Sequence, residues 1–225
     1  MSPRHALVIG ANRGIGLELA RQLLARGARV TATYRDNPGG LGDLDLIAVG
    51  GVDLERPETL AALGADTATP LDAIDDLIVN AGIYPKDRTH GHLDPASILR
   101  GFAVNAMGPL LAVDALKTRL SRGARVLLIT SRMGSIADND SGGSYAYRMS
   151  KAALNMAGKT LSLDLKSQGV SVALIHPGWV KTDMTSNQGL IDVHESAAGI
   201  LARLDQLDLS TSGTFWHQNG QVLPW

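Results

Sequence analysis

Tyr147 and Lys151 are the residues whose types and spacing most directly suggest chemistry. They stand four positions apart at the start of a segment with helical character that runs to about residue 168. Side chains at this spacing lie one above the other on one face of an α-helix, so a phenol and an ammonium can serve one site. Because a nearby cation favours the phenolate, we expect Lys151 to lower the pKa of Tyr147. The pair predicts a proton-donating tyrosine, although such pairs also occur by chance on surface helices.

A glycine-rich loop near the N-terminus is the second feature with chemical capacity. It follows an apolar run at residues 6–9, typical of a buried parallel strand, and precedes a good helix former at 17–26. Strand, loop and helix in this order predict a dinucleotide site in which amides meet a pyrophosphate. Three residues separate the first two glycines, where the dinucleotide fingerprint has one, so a simple strand-to-helix turn is the alternative. The predicted contacts are Gly10, Asn12, Arg13, Gly14, Ile15 and Gly16.

The end of the second predicted strand, at residues 29–34, bears on the choice of cofactor. An acidic residue there would pair with the ribose of NAD, whereas Tyr34 and Arg35 follow here, and Arg13 lies in the glycine loop. Two guanidinium groups able to fork onto a phosphate favour NADP(H). NAD(H) is not excluded, because a strand ending one residue later would place Asp36 near the ribose. The alternative to phosphate binding is that both arginines are exposed and have no role.

Other predicted strands also end in small or polar residues. A strand at 46–49 precedes Asp53 and Leu54, and Asp53 is expected either to accept a hydrogen bond from the adenine amine or to cap the turn into a helix at 57–63. A strand at 76–79 precedes a stretch that leaves room for a ligand at a carboxyl strand end. That stretch is Asn80, Ala81 and Gly82.

A long apolar segment at 96–119 has helical spacing and is interrupted by Gly108 and Pro109. Proline removes a backbone hydrogen bond and permits a kink, so Asn105 should lie near an exposed carbonyl or a water. Further strands are predicted at 125–130, before Ser131, at 170–175, before Pro177 and Gly178, and finally at 214–217.

Strands that alternate with helices in this way predict an α/β fold. We expect a Rossmann-like, doubly wound parallel sheet of about seven strands with helices on both faces, in one domain spanning 1–225.

Composition excludes several functional classes. Lysine and arginine number 21 against 22 acidic residues, so no charge excess recruits nucleic acid or an anionic membrane. The absence of cysteine excludes disulfides and thiolate chemistry and agrees with the cytoplasm. The N-terminal apolar run is too short for a signal peptide, and no later run suggests a membrane span. His90 and His92 lack a third ligand at a useful spacing, so no metal site is predicted.

These motifs, in this order, resemble the short-chain dehydrogenase/reductase family in its compact single-domain form, over nearly the whole chain. The stretch at 131–136, together with Tyr145 and Tyr147, is similar to the subgroup of C-factor-like proteins and small carbonyl reductases. The threonine that commonly precedes the first loop glycine is replaced here by Ile9. The motifs that carry the resemblance are the glycine loop, Asn80-Ala81-Gly82, Asn105, Ser131, Tyr147, Lys151 and Pro177-Gly178.

The resemblance implies a role for each matching residue. Tyr147 would protonate a carbonyl oxygen as hydride arrives from the nicotinamide, and Lys151 would lower the pKa of Tyr147 and bind the nicotinamide ribose. Ser131 would orient the substrate oxygen, with Ser135 as the second candidate. Asn105 would hold a water that links Lys151 to solvent. In the stretch after Pro177 and Gly178, the nicotinamide carboxamide would lie against Val180 and Thr182.

The expected substrate is a small carbonyl or alcohol with a hydrophobic body, because the predicted pocket is apolar and the segment at 185–193 is short for a lid. Core packing is the alternative for Trp179 and Met184. The predicted pocket residues are Ile83, Tyr84, Met133, Ile136, Tyr145, Trp179 and Met184.

Two functions follow from these features: an NADP(H)-dependent carbonyl reductase, and an NADP(H)-binding sensor or C-factor-like signalling protein with little turnover. The helix after Lys151 is apolar around much of its circumference, which predicts a homodimer or homotetramer.

Overall fold

A seven-stranded parallel sheet forms the centre of the computed structural model, which describes residues 3–65, 73–85 and 93–225. Its strand order is β3-β2-β1-β4-β5-β6-β7, and every neighbouring pair is parallel. The predicted doubly wound sheet is therefore confirmed. The strands are β1 (His5–Ile9), β2 (Arg29–Thr33), β3 (Ile47–Val49), β4 (Ile74–Val79), β5 (Leu120–Ile129), β6 (Ser171–His176) and β7 (Phe215–His217).

Helices cover both faces of this sheet because the strands are apolar on both sides. In β1, Leu7 and Ile9 pack into one core cluster with α2, α4 and α5, while Ala6 and Val8 pack into a second with α1 and α6. The helices are α1 (Gly14–Ala25), α2 (Pro57–Ala65), α3 (Pro95–Phe102), α4 (Gly108–Leu116), α5 (Tyr145–Asp164) and α6 (Val193–Gln206).

The long apolar segment is divided by a π-helical turn at Ala103–Met107, between α3 and α4. Pro109 lies four residues after Asn105 and has no N–H, so the Asn105 carbonyl lacks its ordinary α-helical partner. The interruption predicted at Gly108 and Pro109 is thus present, and it begins with the π-helical turn.

By length and apolar composition alone, the helical run Pro95–Arg119 could cross a membrane, with a mean hydropathy of 1.4. The sequence interpretation did not anticipate this result. A single such run is weak evidence, since a buried core helix passes the same test. Val104, Val113 and Leu116 of this run are buried in the core beside the sheet.

The strand order reverses between β1 and β4, and this reversal determines where a ligand can bind. In open parallel sheets, ligands occupy the crevice at the carboxyl ends of the strands beside such a switch point. The segments that follow β1, β4, β5 and β6 meet there and carry most of the residues that the sequence singled out. His90 and His92 lie outside the described residues.

Candidate active site

The glycine loop after β1 packs too tightly for any other residue at two of its positions. Gly10 has a φ of +79°, and a Cβ there would lie 2.5 Å from the Cβ of Ala81. A Cβ on Gly16 would lie 2.2 Å from the carbonyl oxygen of Gly10. The helix α1 begins at Gly14, three residues earlier than predicted, and no side chain caps its first amides. These amides are therefore free to bind an anion.

A groove of about 490 Å³ runs beside this loop. Its backbone cradle and uncapped helix amides fit the pyrophosphate of a dinucleotide. Asn80 supports the cradle, because its side-chain amide donates a 2.7 Å hydrogen bond to the carbonyl of Gly10. The predicted cofactor residues that line the groove are Gly10, Asn12, Arg13, Gly14, Ile15, Asn80, Ala81, Gly82, Lys151, Pro177 and Thr182.

Several predicted cofactor residues lie outside this groove. Gly178 and Val180 line a neighbouring cavity, and Gly16 packs beneath the loop. Asp53 caps a turn, as its alternative interpretation proposed, because its Oδ1 accepts a 3.0 Å hydrogen bond from the amide of Glu55. The side chain of Leu54 is buried in the core, so only its backbone is available to a cofactor.

Tyr34, Arg35 and Arg13 are the residues expected to choose the cofactor; the first two follow β2, and Arg13 lines the groove. Tyr34 packs against Gly50, where an added Cβ would lie 2.8 Å from the ring. Arg35 Nε donates to Asp36 Oδ2 at 2.6 Å, and this carboxylate raises the pKa of Arg35. Arg13 Nη1 donates to Asp183 Oδ2 at 2.5 Å. Both guanidinium groups are therefore paired, but exposed pairs of this kind are weak and exchange readily.

Ser131, Tyr147 and Lys151 come together at the carboxyl ends of β5 and β6. Tyr147 and Lys151 lie on the first turns of α5 and are buried, and Ser131 follows β5. The Ser131 side chain lies near the Tyr147 hydroxyl and lowers its pKa. Lys151 Nζ lies 5.9 Å from the centroid of the Tyr147 ring and donates a 2.9 Å hydrogen bond to the carbonyl of Ile129. The predicted catalytic set is thus assembled in space.

The ionisation of this set differs from the sequence expectation. Burial raises the pKa of Tyr147 to about 12, against the lowering effect of its hydrogen bond with Ser131. Burial also lowers the pKa of Lys151 to about 8. Desolvation therefore has a larger effect on the Tyr147 pKa than the lowering expected from Lys151. The Nζ of Lys151 is held by the Ile129 carbonyl.

The side chain of Asn105 is held by hydrogen bonds within the protein, and its implied role in holding a water stays a prediction. Its Oδ1 accepts from the amide of Ile83 at 2.8 Å, and its Nδ2 donates to the Ile83 carbonyl at 2.9 Å and to Ser150 Oγ at 3.0 Å. Both amide hydrogens are used, so the side chain joins the segment after β4 to α5. A Cβ on Gly82 would lie only 3.1 Å from Asn105 Oδ1 and 3.6 Å from Lys151 Nζ.

A second cavity of about 760 Å³ adjoins the groove, and Tyr147 lines both. Trp179 and Met184 lie in its wall and are 52% and 49% exposed, which excludes their interpretation as core residues. Tyr84 and Met133 also line this cavity, as predicted, whereas Ile83 lines the groove. Ile136 and Tyr145, also predicted as pocket residues, line neither space.

The sequence predicts Tyr84 as a pocket residue but not its contact with Tyr147, and it gives Trp225 no role. The Tyr84 ring lies 4.6 Å from that of Tyr147, and its hydroxyl is 2.7 Å from Ser144 Oγ. The Trp225 carbonyl accepts hydrogen bonds from Ser135 Oγ at 3.0 Å and from the amides of Ile136 and Ala137 at 2.6 and 3.0 Å. Trp225 therefore holds the loop that follows Ser131.

The doubly wound sheet has a glycine loop at its switch point, and serine, tyrosine and lysine lie at the mouth of the groove. Together these features define a nicotinamide-dependent oxidoreductase. The model of the short chain dehydrogenase family matches residues 4–190. The chain belongs to the short-chain dehydrogenase/reductase family.

The chain is also similar to individual proteins, of which three follow. A 1-hydroxy-2-glutathionyl-2-methyl-3-butene dehydrogenase of Rhodococcus sp. (strain AD45) is 39% identical over 223 residues, 97% of this chain and 98% of that protein. C-signal of Myxococcus xanthus is 45% identical over 154 residues, 68% of this chain and 93% of that protein. The structure of an NADPH-bound carbonyl reductase from chicken fatty liver superposes with a TM-score of 0.90 and 32% identity, covering 100% of both chains.

The anchoring role of Trp225 can be tested by hydrogen exchange. Its ring stacks on Phe215 with centroids 5.5 Å apart. Trp225→Ala removes this stacking, so the carbonyl of residue 225 should no longer be held where it accepts hydrogen bonds from the loop amides. We expect the amides of Ile136 and Ala137 to lose protection and stability to fall by about 1 kcal/mol.

Val222→Ala, which trims an exposed side chain in the same segment, is the matched control and should leave both amides protected. Unchanged protection of Ile136 and Ala137 in Trp225→Ala would contradict the anchor.

Proposed function

We propose that this protein is an NADP(H)-dependent carbonyl reductase that transfers hydride between the nicotinamide and a carbonyl or alcohol of a small, largely hydrophobic substrate. The observation that carries the proposal is the position of Tyr147, whose side chain lines both the groove and the adjoining cavity. Apolar wall residues around this polar centre, including Met133, Trp179 and Met184, support a hydrophobic substrate body.

In the direction of reduction, Tyr147 donates a proton to the carbonyl oxygen. A pKa of about 12 keeps the phenol protonated at neutral pH, so the donor is in the required state. Ser131 lies beside the same hydroxyl and would orient the substrate oxygen. The bound cofactor would supply the hydride.

Lys151 stabilises the phenolate that this proton transfer produces. The attraction between an ammonium and a phenol grows when the phenol becomes an anion, so its effect falls on the transition state. Lys151 is predominantly cationic below its pKa of about 8. The hydrogen bond to the Ile129 carbonyl holds its Nζ near the base of the groove.

The proposed cofactor contacts include residues that line the groove and residues that lie beyond it. The amides of the loop from Gly10 to Gly16 would bind the pyrophosphate, and Lys151 would bind the nicotinamide ribose. Val180 and Thr182 would hold the carboxamide. Tyr34, Asp53 and the backbone of Leu54 would lie at the adenosine end.

A preference for NADP(H) rests on two basic residues and on similar structures. Arg13 and Arg35 would exchange their exposed carboxylate partners for a 2′-phosphate. The similar reductase from chicken fatty liver has NADPH bound, which supports the same preference here.

The proton-donor role of Tyr147 predicts the result of removing one oxygen atom. Tyr147→Phe keeps the ring but has no proton to donate, so we expect NADPH-dependent reduction of aldehydes, ketones and quinones to fall by roughly 10²- to 10⁴-fold. The measurement is steady-state oxidation of NADPH by the purified protein.

Tyr145→Phe is the matched control, since Tyr145 lines neither cavity, and it should retain activity. Equal activity of Tyr147→Phe and the unmodified protein would remove Tyr147 as the acid.

A second candidate function is a nucleotide-binding sensor or signalling protein with little turnover. The similarity to C-signal of Myxococcus xanthus favours it. The assembled set of Ser131, Tyr147 and Lys151 argues against it, because a sensor has no use for a positioned proton donor. Tight NADPH binding without turnover across a broad carbonyl panel would favour the sensor.

The phosphate role of Arg35 predicts a change in cofactor preference. Arg35→Ser removes a cation that would meet the 2′-phosphate, so the Kd for NADPH should rise by about 10-fold or more while the Kd for NADH changes little. Titration calorimetry with both cofactors measures this difference.

Arg56→Ser, which removes an exposed arginine paired with Glu58, controls for the general loss of positive charge. Equal weakening of NADPH and NADH in Arg35→Ser would refute the phosphate role.

We propose that the 225 residues form one domain that assembles as a homodimer or homotetramer in the cytoplasm. Met149, Met156 and Leu163 on α5 are 45%, 69% and 63% exposed. Their spacing of seven places them in one stripe along the helix. This apolar stripe is the proposed contact between subunits.

The proposed contact predicts an oligomer at micromolar concentration that a single charge disrupts. Met156→Glu places an anion within the stripe, so the molar mass measured by light scattering should fall toward that of the monomer. Leu209→Glu, at an exposed position outside α5, is the control and should leave the mass unchanged. A monomeric mass for the unmodified protein would exclude the assembly.

A further inference from the structure

The wall of the substrate cavity contains a guanidinium group that the proposed chemistry does not use. Arg148 follows Tyr147 on α5, and both residues line the cavity. The known contacts of Arg148 are with neutral atoms. Its Nε donates to the carbonyls of Gly142 and Gly143 at 3.3 and 3.1 Å, its Nη2 to Ser141 Oγ at 2.8 Å and its Nη1 to the Met133 carbonyl at 3.5 Å.

No carboxylate lies within 4.0 Å of Arg148 in the part of the chain that the structure describes. The other charged residues in the cavity wall are Arg132 and Asp138, and they pair with each other. Asp140, which is exposed, also acts on Arg132. The wall therefore has one positive charge, on Arg148, without a partner of opposite sign.

Part of the hydrogen-bonding capacity of Arg148 remains open. A guanidinium has five N–H groups, and each of its two terminal nitrogens has two of them. Nη1 and Nη2 each make one hydrogen bond among the described residues, so each has a second N–H for a ligand. Two terminal N–H groups of arginine match the two oxygens of a carboxylate.

The hydrogen bonds from Arg148 also order the loop that contains Ser141, Gly142 and Gly143. That role requires donors, but it does not require a charge. A half-buried cation without a counter-ion loses solvation that neutral acceptors recover only in part. An anionic ligand in the cavity would compensate this cost and would meet the open N–H groups.

We propose that the substrate carries an anionic group, of the carboxylate type, which Arg148 binds while the carbonyl oxygen faces the Tyr147 hydroxyl. The substrate is then a carbonyl compound or alcohol with a hydrophobic middle and a carboxylate end. Met133 and Trp179 supply apolar wall between these polar ends of the cavity. The identity of the reacting end rests on the proposed carbonyl reduction, whereas the binding of the anion by Arg148 does not.

Matched substrates test the proposal through catalysis. We compare 4-carboxybenzaldehyde with its methyl ester as substrates for the full chain with NADPH, in the unmodified protein, Arg148→Gln and Arg148→Lys. The unmodified protein should favour the carboxylate by about tenfold in kcat/KM. Arg148→Gln should lose this preference through a higher KM for the carboxylate alone, and Arg148→Lys should retain part of it.

Arg122→Gln is the matched control, because Arg122 is exposed near the opposite end of β5. It should keep the preference for the carboxylate. A parallel loss for both substrates in Arg148→Gln would mean that Arg148 only orders the loop, and that result would overturn the proposal.

A binding experiment separates this proposal from the proposed activity. We titrate 4-(hydroxymethyl)benzoate and 4-(hydroxymethyl)benzamide into the protein and follow tryptophan fluorescence, to which Trp179 in the cavity wall contributes. Tighter binding of the benzoate that is lost in Arg148→Gln supports the anion site even if no carbonyl substrate turns over. Equal affinity for both compounds, or no binding of the benzoate, overturns it even if neutral aldehydes are reduced.

Discussion

The burial of a phenol and an ammonium together, at the carboxyl edge of a parallel sheet, is the constraint on which the rest of the site depends. The 2.9 Å hydrogen bond from Lys151 Nζ to the Ile129 carbonyl fixes the cation to the end of β5. The helix α5 can approach this closely because Gly134 lies against it, and a Cβ there would come within 2.7 Å of the Lys151 backbone. Gly158 allows the same helix to lie against Leu174 of β6. Two glycines therefore set the depth at which the polar pair is held.

The fold could be predicted because its determinants are local. Continuous apolar runs such as residues 6–9 predict strands buried on both faces, and glycine loops with helical segments between them predict the parallel order. Boundaries were less accurate, since α5 begins at Tyr145 and ends at Asp164, whereas the predicted segment began at Tyr147 and ran to about residue 168. The candidate residues Ser131, Tyr147 and Lys151 could be brought together from the sequence, because the end of a strand and the first turns of a helix are recognisable there and the family resemblance links them.

The remaining features depend on contacts between distant parts of the chain. Sequence places Arg13 in the glycine loop, but it cannot show that Asp183, 170 positions away, supplies its partner. It also cannot show that Asn105 uses both amide hydrogens on Ile83 and Ser150. The expected lowering of the Tyr147 pKa was wrong for a related reason, because desolvation is set by surrounding atoms from several elements.

One side chain, Tyr147, belongs to the walls of two adjoining spaces. A molecule that fills either space removes water from around the same hydroxyl and so changes the environment that the other molecule meets. The two binding equilibria are consequently coupled, and thermodynamic reciprocity requires that each ligand alter the affinity of the other by the same factor. Because the wall is shared, the affinity of the protein for each ligand depends on whether the other ligand is already bound.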